Sequence, residues 1–338
     1  MTDQKLTIDW SRLQPILDQY QRFVLTSHVN PDCDALGSEL GMAGLLDALG
    51  KEVRIVNADP TPPRLSFVDP DHRIEVLGRG VDQEDLRESD VIVVLDTSVW
   101  SQLGKMAEVV RNLSKQLVVI DHHASEGQLP ALVLKDSRAE ATGSLIFRAS
   151  RFFGVALTPG MASALFAAIA TDTGWFRFAS TTSSTFFVIS QLMAYGAAPS
   201  EIYRELYERD SMGRVKLRGM VLSRLTTELD GQLAHTHVRA RDFIETGAVP
   251  SETEDFVNMA LVIDGIEVAV MLTEQPVGTF KLSLRSRGMV DCSQLAVSLG
   301  GGGHKAAAGA TLKGSFETVE RRVLDTVRHA MRGARMAT

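Results

Sequence analysis

The sequence predicts a doubly wound, mainly parallel α/β domain followed by a smaller α+β domain. Three observations carry that prediction. Continuous apolar runs at 23–25, 91–95 and 117–120 have strand length, and the longer two read as strands buried on both faces. Segments with helical patterning accompany them, as in a sheet covered by helices. In the second half, the pattern changes to apolar and polar residues in alternation, the mark of half-exposed strands.

Taken in order, residues 8–20 read as a first helix, with Leu13, Ile16 and Leu17 on one face. The run 23–25 is the opening strand, 35–49 the helix after it, and 52–56 a second strand. A Pro-rich stretch at 60–63 opens a loop before the strands at 91–95 and 117–120. Helices are expected at 141–153, at 161–171 and at 183–195, the last closed by Gly196 and Pro199. The domain limits are set at 1–196 and 223–338, with 197–222 as a helical connector. Within the second domain, 232–238, 267–273 and 279–285 are strands. Ser251 and Glu254 form a capping box that opens a helix. A helix at 291–299 leads to Gly300, Gly301, Gly302, Gly303 and His304, and 316–331 is the closing helix.

At 338 residues, 44% hydrophobic and 23% charged, the chain is long enough for two cores. Residues 1–9 lack the apolar stretch of a secretory signal, and the longest uncharged stretch, 178–200, is crowded with Ser and Thr. No membrane segment is expected. Cys33 and Cys292 cannot make a disulfide framework, which fits a reducing cytoplasm. A net charge of −7 argues against a basic surface for long nucleic acid, while leaving room for a short phosphorylated substrate.

His28, Asp32 and Asp34 fall just past the first strand, Asp96 past the 91–95 run, and Asp121, His122 and His123 past the 117–120 run; Asp172 ends a helix. The carboxyl ends of parallel strands share one sheet edge, so these side chains can meet. One imidazole and two carboxylates within seven residues suit Mn²⁺, Mg²⁺ or Zn²⁺. Asp32 and Asp34 equally suit the N-cap of the following helix. The remaining residues tip the balance, because a metal pair about 3.5–4 Å apart needs roughly this many ligands, with one carboxylate shared. Such a pair neutralises the oxygens of a phosphoryl group.

In the second domain the glycine run would turn backbone N–H groups toward an anion, with His304 at the rim. Arg285 shares the polar face of its strand with Lys281 and Ser283, and a guanidinium there can grip a terminal phosphate. His235 and His237 share a strand face without a carboxylate pair and read as structural. Trp175, Phe176 and Phe178 read as core packing ahead of base stacking.

Five motifs in this order resemble those of the DHH phosphoesterase family, over nearly the whole chain. His28, Asn30, Asp32 and Asp34 look like its first motif and Asp96 its second. Asp121, His122 and His123 are the triplet that names it, and Asp172 looks like the fourth motif. Residues 283–286 and the Gly300 to His304 run resemble its DHHA1 domain. The resemblance implies one Mn²⁺ on His28, Asp32 and Asp96, and a second on Asp34, Asp96, His122 and Asp172. Asp96 bridges, and Mg²⁺ or another divalent ion is the alternative. It implies Asp96, His122 and His123 as catalytic residues, with His123 facing phosphate and Asp121 orienting a histidine. Substrate contacts fall to His123, Arg285, Gly301, Gly302, Gly303 and His304. The implied activity is hydrolysis of short oligoribonucleotides and of 3′-phosphoadenosine 5′-phosphate (pAp); a phosphodiesterase for pApA or cyclic di-AMP is the alternative. The partners implied are short single-stranded RNA or nucleotide phosphates, with no long duplex and no membrane, and a homodimer is the assembly expected. A nucleotide sensor without catalysis is disfavoured, since every ligand position is filled. Cys33 stands where the family commonly has Gly, and is expected to be a small buried space-filler.

Overall fold

The structure is a computed structural model that describes residues 8–124, 129–276, 278–303 and 305–337. The chain divides into two compact units, Met1–Arg209 and Asp210–Thr338. The division falls inside the stretch read from sequence as a connector.

The first unit runs α1 (Gln14–Gln19), β1 (Arg22–Thr26), α2 (Cys33–Ala48), β2 (Glu52–Asn57), β3 (Ile74–Leu77), β4 (Gly80–Val81) and β5 (Val91–Leu95). It continues with α3 (Met106–Leu113), β6 (Gln116–Asp121), β7 (Leu132–Lys135), α4 (Thr142–Phe152), α5 (Pro159–Asp172), α6 (Ser183–Ala194) and α7 (Pro199–Tyr207). The single helix expected at 8–20 is instead a 3-10 turn, Trp10–Arg12, followed by α1. Pro15 explains the break: it sits in the first turn of α1, where no backbone N–H is needed, and cannot sit deeper in a helix.

The sheet order is β4-β3-β2-β1-β5-β6-β7, and every pairing is parallel. The order reverses between β1 and β5, so the crevice of a doubly wound sheet opens at their carboxyl ends. Alternation along the strands supplies two cores. Val91, Val93 and Leu95 pack with Leu36, Leu145 and Leu165 of α2, α4 and α5. Ile92 and Val94 pack on the other face with Met106, Val109 and Val110 of α3.

Helices α2 and α5 approach closely through small residues. A Cβ on Gly37 would lie 2.4 Å from the Ala164 carbonyl oxygen, while Gly41 meets Leu165 and Gly44 meets Met161. The numbering falls on α5 as it rises on α2, so the two run antiparallel, bringing the start of α2 beside the end of α5. Gly37→Ala is expected to force the helices apart and destabilise the protein by about 1–3 kcal/mol. Urea unfolding checks this; an unchanged midpoint would show that the backbone yields freely.

The second unit comprises α8 (Met212–Ser223), β8 (Thr226–Glu228), β9 (Leu233–Val238), α9 (Ala240–Thr246), α10 (Phe256–Ala260), β10 (Val268–Gln275) and β11 (Thr279–Ser286). It ends with α11 (Cys292–Ser298), β12 (Gly302–Gly303), β13 (Ala307–Lys313) and α12 (Phe316–Ala337). Its six-stranded sheet has the order β12-β13-β11-β10-β9-β8 and is antiparallel except between β9 and β10. Helices α11 and α12 cover one face over Phe280, Leu282 and Leu284; α8 and α10 cover the other over Ala234, Ala269 and Met271.

One local expectation fails here, and another is met only in part. The helix expected from Ser251 is a 3-10 turn, Pro250–Thr253, and α10 begins only after Asp255, which adopts a left-handed conformation at φ +66°. Two of the four successive glycine amides are already committed to the backbone. Gly300 and Gly301 donate their N–H groups to Val297 and Ala296 at the end of α11 (3.0 and 2.7 Å), and Gly302 and Gly303 pair with Gly309 and Ala308 of β13. A Cβ on Gly301 would lie 2.1 Å from the Gly309 carbonyl oxygen, so close approach to β13 requires that glycine.

Candidate metal centre

His28, Asp96, Asp121, His122, His123 and Asp172 lie at or just past the carboxyl end of an element, while Asp32 and Asp34 stand at the start of α2. His28 follows β1 and donates Nδ1–H to the Val29 carbonyl at 2.9 Å, which leaves Nε2 as a free lone pair. That Nε2 lies 3.5 Å from Asp96 Oδ2 and 3.9 Å from Asp32 Oδ1. Asp32 also caps α2, accepting from the Asp34 and Ala35 N–H groups at 3.0 and 3.1 Å. The cap and the cluster, alternatives in the sequence, are thus the same side chain.

Asp34 is fixed by the start of α4. Its Oδ2 accepts from the Thr142 N–H at 2.7 Å and its Oδ1 from the Gly143 N–H at 2.9 Å. A side chain at 143 would lie 2.9 Å from the Ala168 Cβ and crowd the carboxylate. Asp96 follows β5 with φ +61°, a strained backbone for a residue other than glycine, though one that Asp tolerates better than most. Thr142 Oγ1 donates to Asp96 Oδ1 at 2.8 Å.

His122 repeats the logic of His28. Nδ1 donates to the Ala139 carbonyl at 3.2 Å, and Nε2 lies 3.4 Å from Asp172 Oδ2, 3.6 Å from Asp96 Oδ1 and 3.8 Å from Asp34 Oδ2. Besides a group formed by Asp96, His122 and His123, two groups of donors stand apart: His28, Asp32 and Asp96 in one, Asp34, His122 and Asp172 in the other, each of the three with ligand atoms within 4.8 Å of one another. Asp96 sits between them, one oxygen toward His28 and the other toward His122.

His123 differs. Its Nδ1 lies 2.8 Å from Asp121 Oδ1 and is committed there, although Asp96 is also near, at 3.7 Å. The Asp121 hydrogen bond, followed by the charge of Asp96, pushes the His123 ring up to about 9. Burial would raise the Asp121 carboxyl, but hydrogen bonds from His123 and Lys135 outweigh it and hold Asp121 well below the usual carboxylate range.

The clustered carboxylates show the opposite behaviour. Burial raises Asp34, and the charge of Asp32 adds to it. Asp96 is raised well above the ordinary range by burial and then by Asp34 and Asp32. Asp172, at the carboxyl end of α5 where the helix dipole disfavours an anion, is raised to about 8 by burial and the same two neighbours. Their contacts are imidazoles, backbone N–H groups and hydroxyls. Such a set fits divalent cations, which would relieve repulsion that a dipole network cannot.

The structure therefore brings together His28, Asp32, Asp34, Asp96, His122, His123 and Asp172, with Asp121 behind His123. In the second unit, Arg285 donates Nε–H to Asn258 Oδ1 at 2.9 Å, and His304 lies outside the described residues. Cys33 is buried at the first position of α2 with its thiol pushed up by burial, and its φ is not positive, so no glycine is needed there. Sequence reasoning missed Thr142, Gly143 and Lys135. Trp175 packs on Phe166 and Tyr203, as expected of core, whereas Phe178 is half exposed.

Known proteins share this architecture. The DHH family N-terminal domain matches residues 22–169 and the DHHA1 domain residues 231–333. The chain is 34% identical over 314 residues to the bifunctional oligoribonuclease and PAP phosphatase NrnA of Thermus thermophilus, covering 91% of this chain and 89% of that one. It is 28% identical to the enzyme of the same description in Bacillus subtilis, covering 90% and 94%. Among solved structures, an exopolyphosphatase-related protein from Bacteroides fragilis superposes with a TM-score of 0.90 at 26% identity, covering 97% of this chain and 98% of that one. Motif order, fold and likeness along nearly the full length agree: the chain belongs to the DHH family of phosphoesterases and carries a DHHA1 domain.

Proposed function

We propose that this protein is a cytoplasmic, two-metal phosphoesterase that takes short oligoribonucleotides to mononucleotides and pAp to AMP and phosphate, with Mn²⁺ as its ion. The observation that carries the reading is Asp96, whose two oxygens face two separate groups of imidazole and carboxylate donors. The substrate class is supported by likeness to relatives described as acting on oligoribonucleotides and pAp. No described helix is long and apolar enough to cross a membrane.

His28, Asp32 and Asp96 hold one ion; Asp34, Asp96, His122 and Asp172 hold the other. Bound there, the ions supply Lewis acidity toward phosphoryl oxygens and an activated water at neutral pH. The chain's own groups supply the rest. Thr142 and Gly143 lock Asp34 through both of its oxygens, so that carboxylate keeps its direction throughout a turnover. His123, its Nδ1 committed to Asp121, keeps Nε2 for an oxygen of the phosphate or of the leaving nucleoside. In the second unit, Arg285 grips a terminal phosphate.

A product time course tests this, using a labelled RNA of about five nucleotides beside pAp, pApA and cyclic di-AMP, each with Mn²⁺. Stepwise release of mononucleotides, together with phosphate from pAp, is expected. Cleavage of pApA or cyclic di-AMP alone would replace the substrate assignment. Tight binding of every compound without cleavage would mark a sensor.

A further inference from the structure

The parallel register of β6 and β7 sets Asp121 and Lys135 directly opposite one another. Lys135 Nζ donates to Asp121 Oδ2 at 2.8 Å and to Ser98 Oγ, just past β5, at 3.0 Å. One ammonium thereby ties together the ends of three adjacent strands, with Asp121 and Ser98 wholly buried beneath it. The remaining oxygen of Asp121, Oδ1, accepts both the backbone N–H and the Nδ1–H of His123, at 3.0 and 2.8 Å.

His123 needs that support. Its side chain is 47% exposed, so little packing fixes the ring. Among the described residues, its ring contact is with the edge of His122, 4.6 Å away between ring centres. Its direction is therefore set by whatever holds Asp121 still. A carboxylate held at Oδ2 cannot rotate away, and Oδ1 must then stay on Nδ1.

We propose that Lys135 is a positioning residue for His123, acting through Asp121 to fix the imidazole plane and aim Nε2 at the phosphoryl group. The inference rests on the reading of His123 as the phosphate-facing histidine. A purely structural lysine would neutralise Asp121 and nothing more, and the two roles separate in a double-mutant cycle.

The full chain is assayed on pAp with Mn²⁺ as wild type, Lys135→Met, His123→Ala and the double variant. Lys135→Met should lower kcat roughly tenfold to a hundredfold, with a much smaller change in KM. The same substitution in the His123→Ala background should cost less than about twofold, because there is no ring left to aim. An equal penalty in both backgrounds overturns the positioning role while leaving the reading of His123 intact. A His123→Ala enzyme with full kcat overturns that reading, and the proposal with it. Where Lys135→Met does not fold, Ser98→Ala keeps the ammonium and removes one of its acceptors, and it should show a several-fold loss with the same dependence on His123. Nitrogen-15 spectra of the histidine rings add a readout apart from turnover. The Nδ1–H proton of His123 should be resolved in wild type and exchange-broadened in Lys135→Met; an unchanged signal counts against the proposal.

Discussion

Asp96→Asn is expected to lower Mn²⁺-dependent phosphate release from pAp by on the order of a thousandfold while leaving the fold intact. Asn suits the test because it, like Asp, tolerates the left-handed backbone found at φ +61°, so the turn after β5 survives. It also keeps an oxygen for the Thr142 hydroxyl. What it removes is the negative charge facing both donor groups at once. The carboxylate it replaces is 2% exposed and crowded by Asp34 and Asp32, so thermal stability without metal should hold or rise. Steady-state kinetics and calorimetry on one preparation check both halves. Activity within tenfold of wild type would remove Asp96 from the shared position.

Stripping the protein of divalent ions should abolish turnover and lower the melting temperature, and restoring Mn²⁺ should reverse both. The sign follows from the carboxylates: Asp34, Asp96 and Asp172 are each raised by burial and by one another or Asp32, so the folded state carries repulsion that bound cations relieve. An ion that binds only the folded chain stabilises it by about 2.7 kcal/mol at a hundred times its Kd. Scanning calorimetry across a Mn²⁺ titration should show a rising transition, and Asp34→Asn should flatten the rise. A melting temperature indifferent to chelation and to Mn²⁺ would mean that the cluster does not hold ions.

The strands of the first unit were legible because parallel strands covered on both faces are continuous apolar runs, and 91–95 and 117–120 are such runs. Short strands at or next to the sheet edges, such as β3, β4 and β7, carry no comparable signal, and β7 went unseen although it bears Lys135. Its role depends on which strand lies beside β6, a fact of pairing that no local pattern encodes. Thr142 and Gly143 were missed for a related reason: the start of a helix announces a cap, not the carboxylate more than a hundred residues earlier that it holds. The glycine run carries a mixed signal. Glycine signals freedom, which Gly300 uses at φ +83°, but Gly301 and Gly303 also report close approach of the chain to β13.

The sequence by itself determined which residue types stand at the ends of the apolar strands, and hence that acids and imidazoles would gather on one edge of a parallel sheet. Only the tertiary structure decided how they divide. The antiparallel contact of α2 with α5, permitted by Gly37, Gly41 and Gly44, brings Asp34 to Asp172, and the left-handed turn at Asp96 points its two oxygens opposite ways. Periodicity fixes the face a side chain takes within its own element. The distance between two elements is set by packing, which no single stretch of sequence contains.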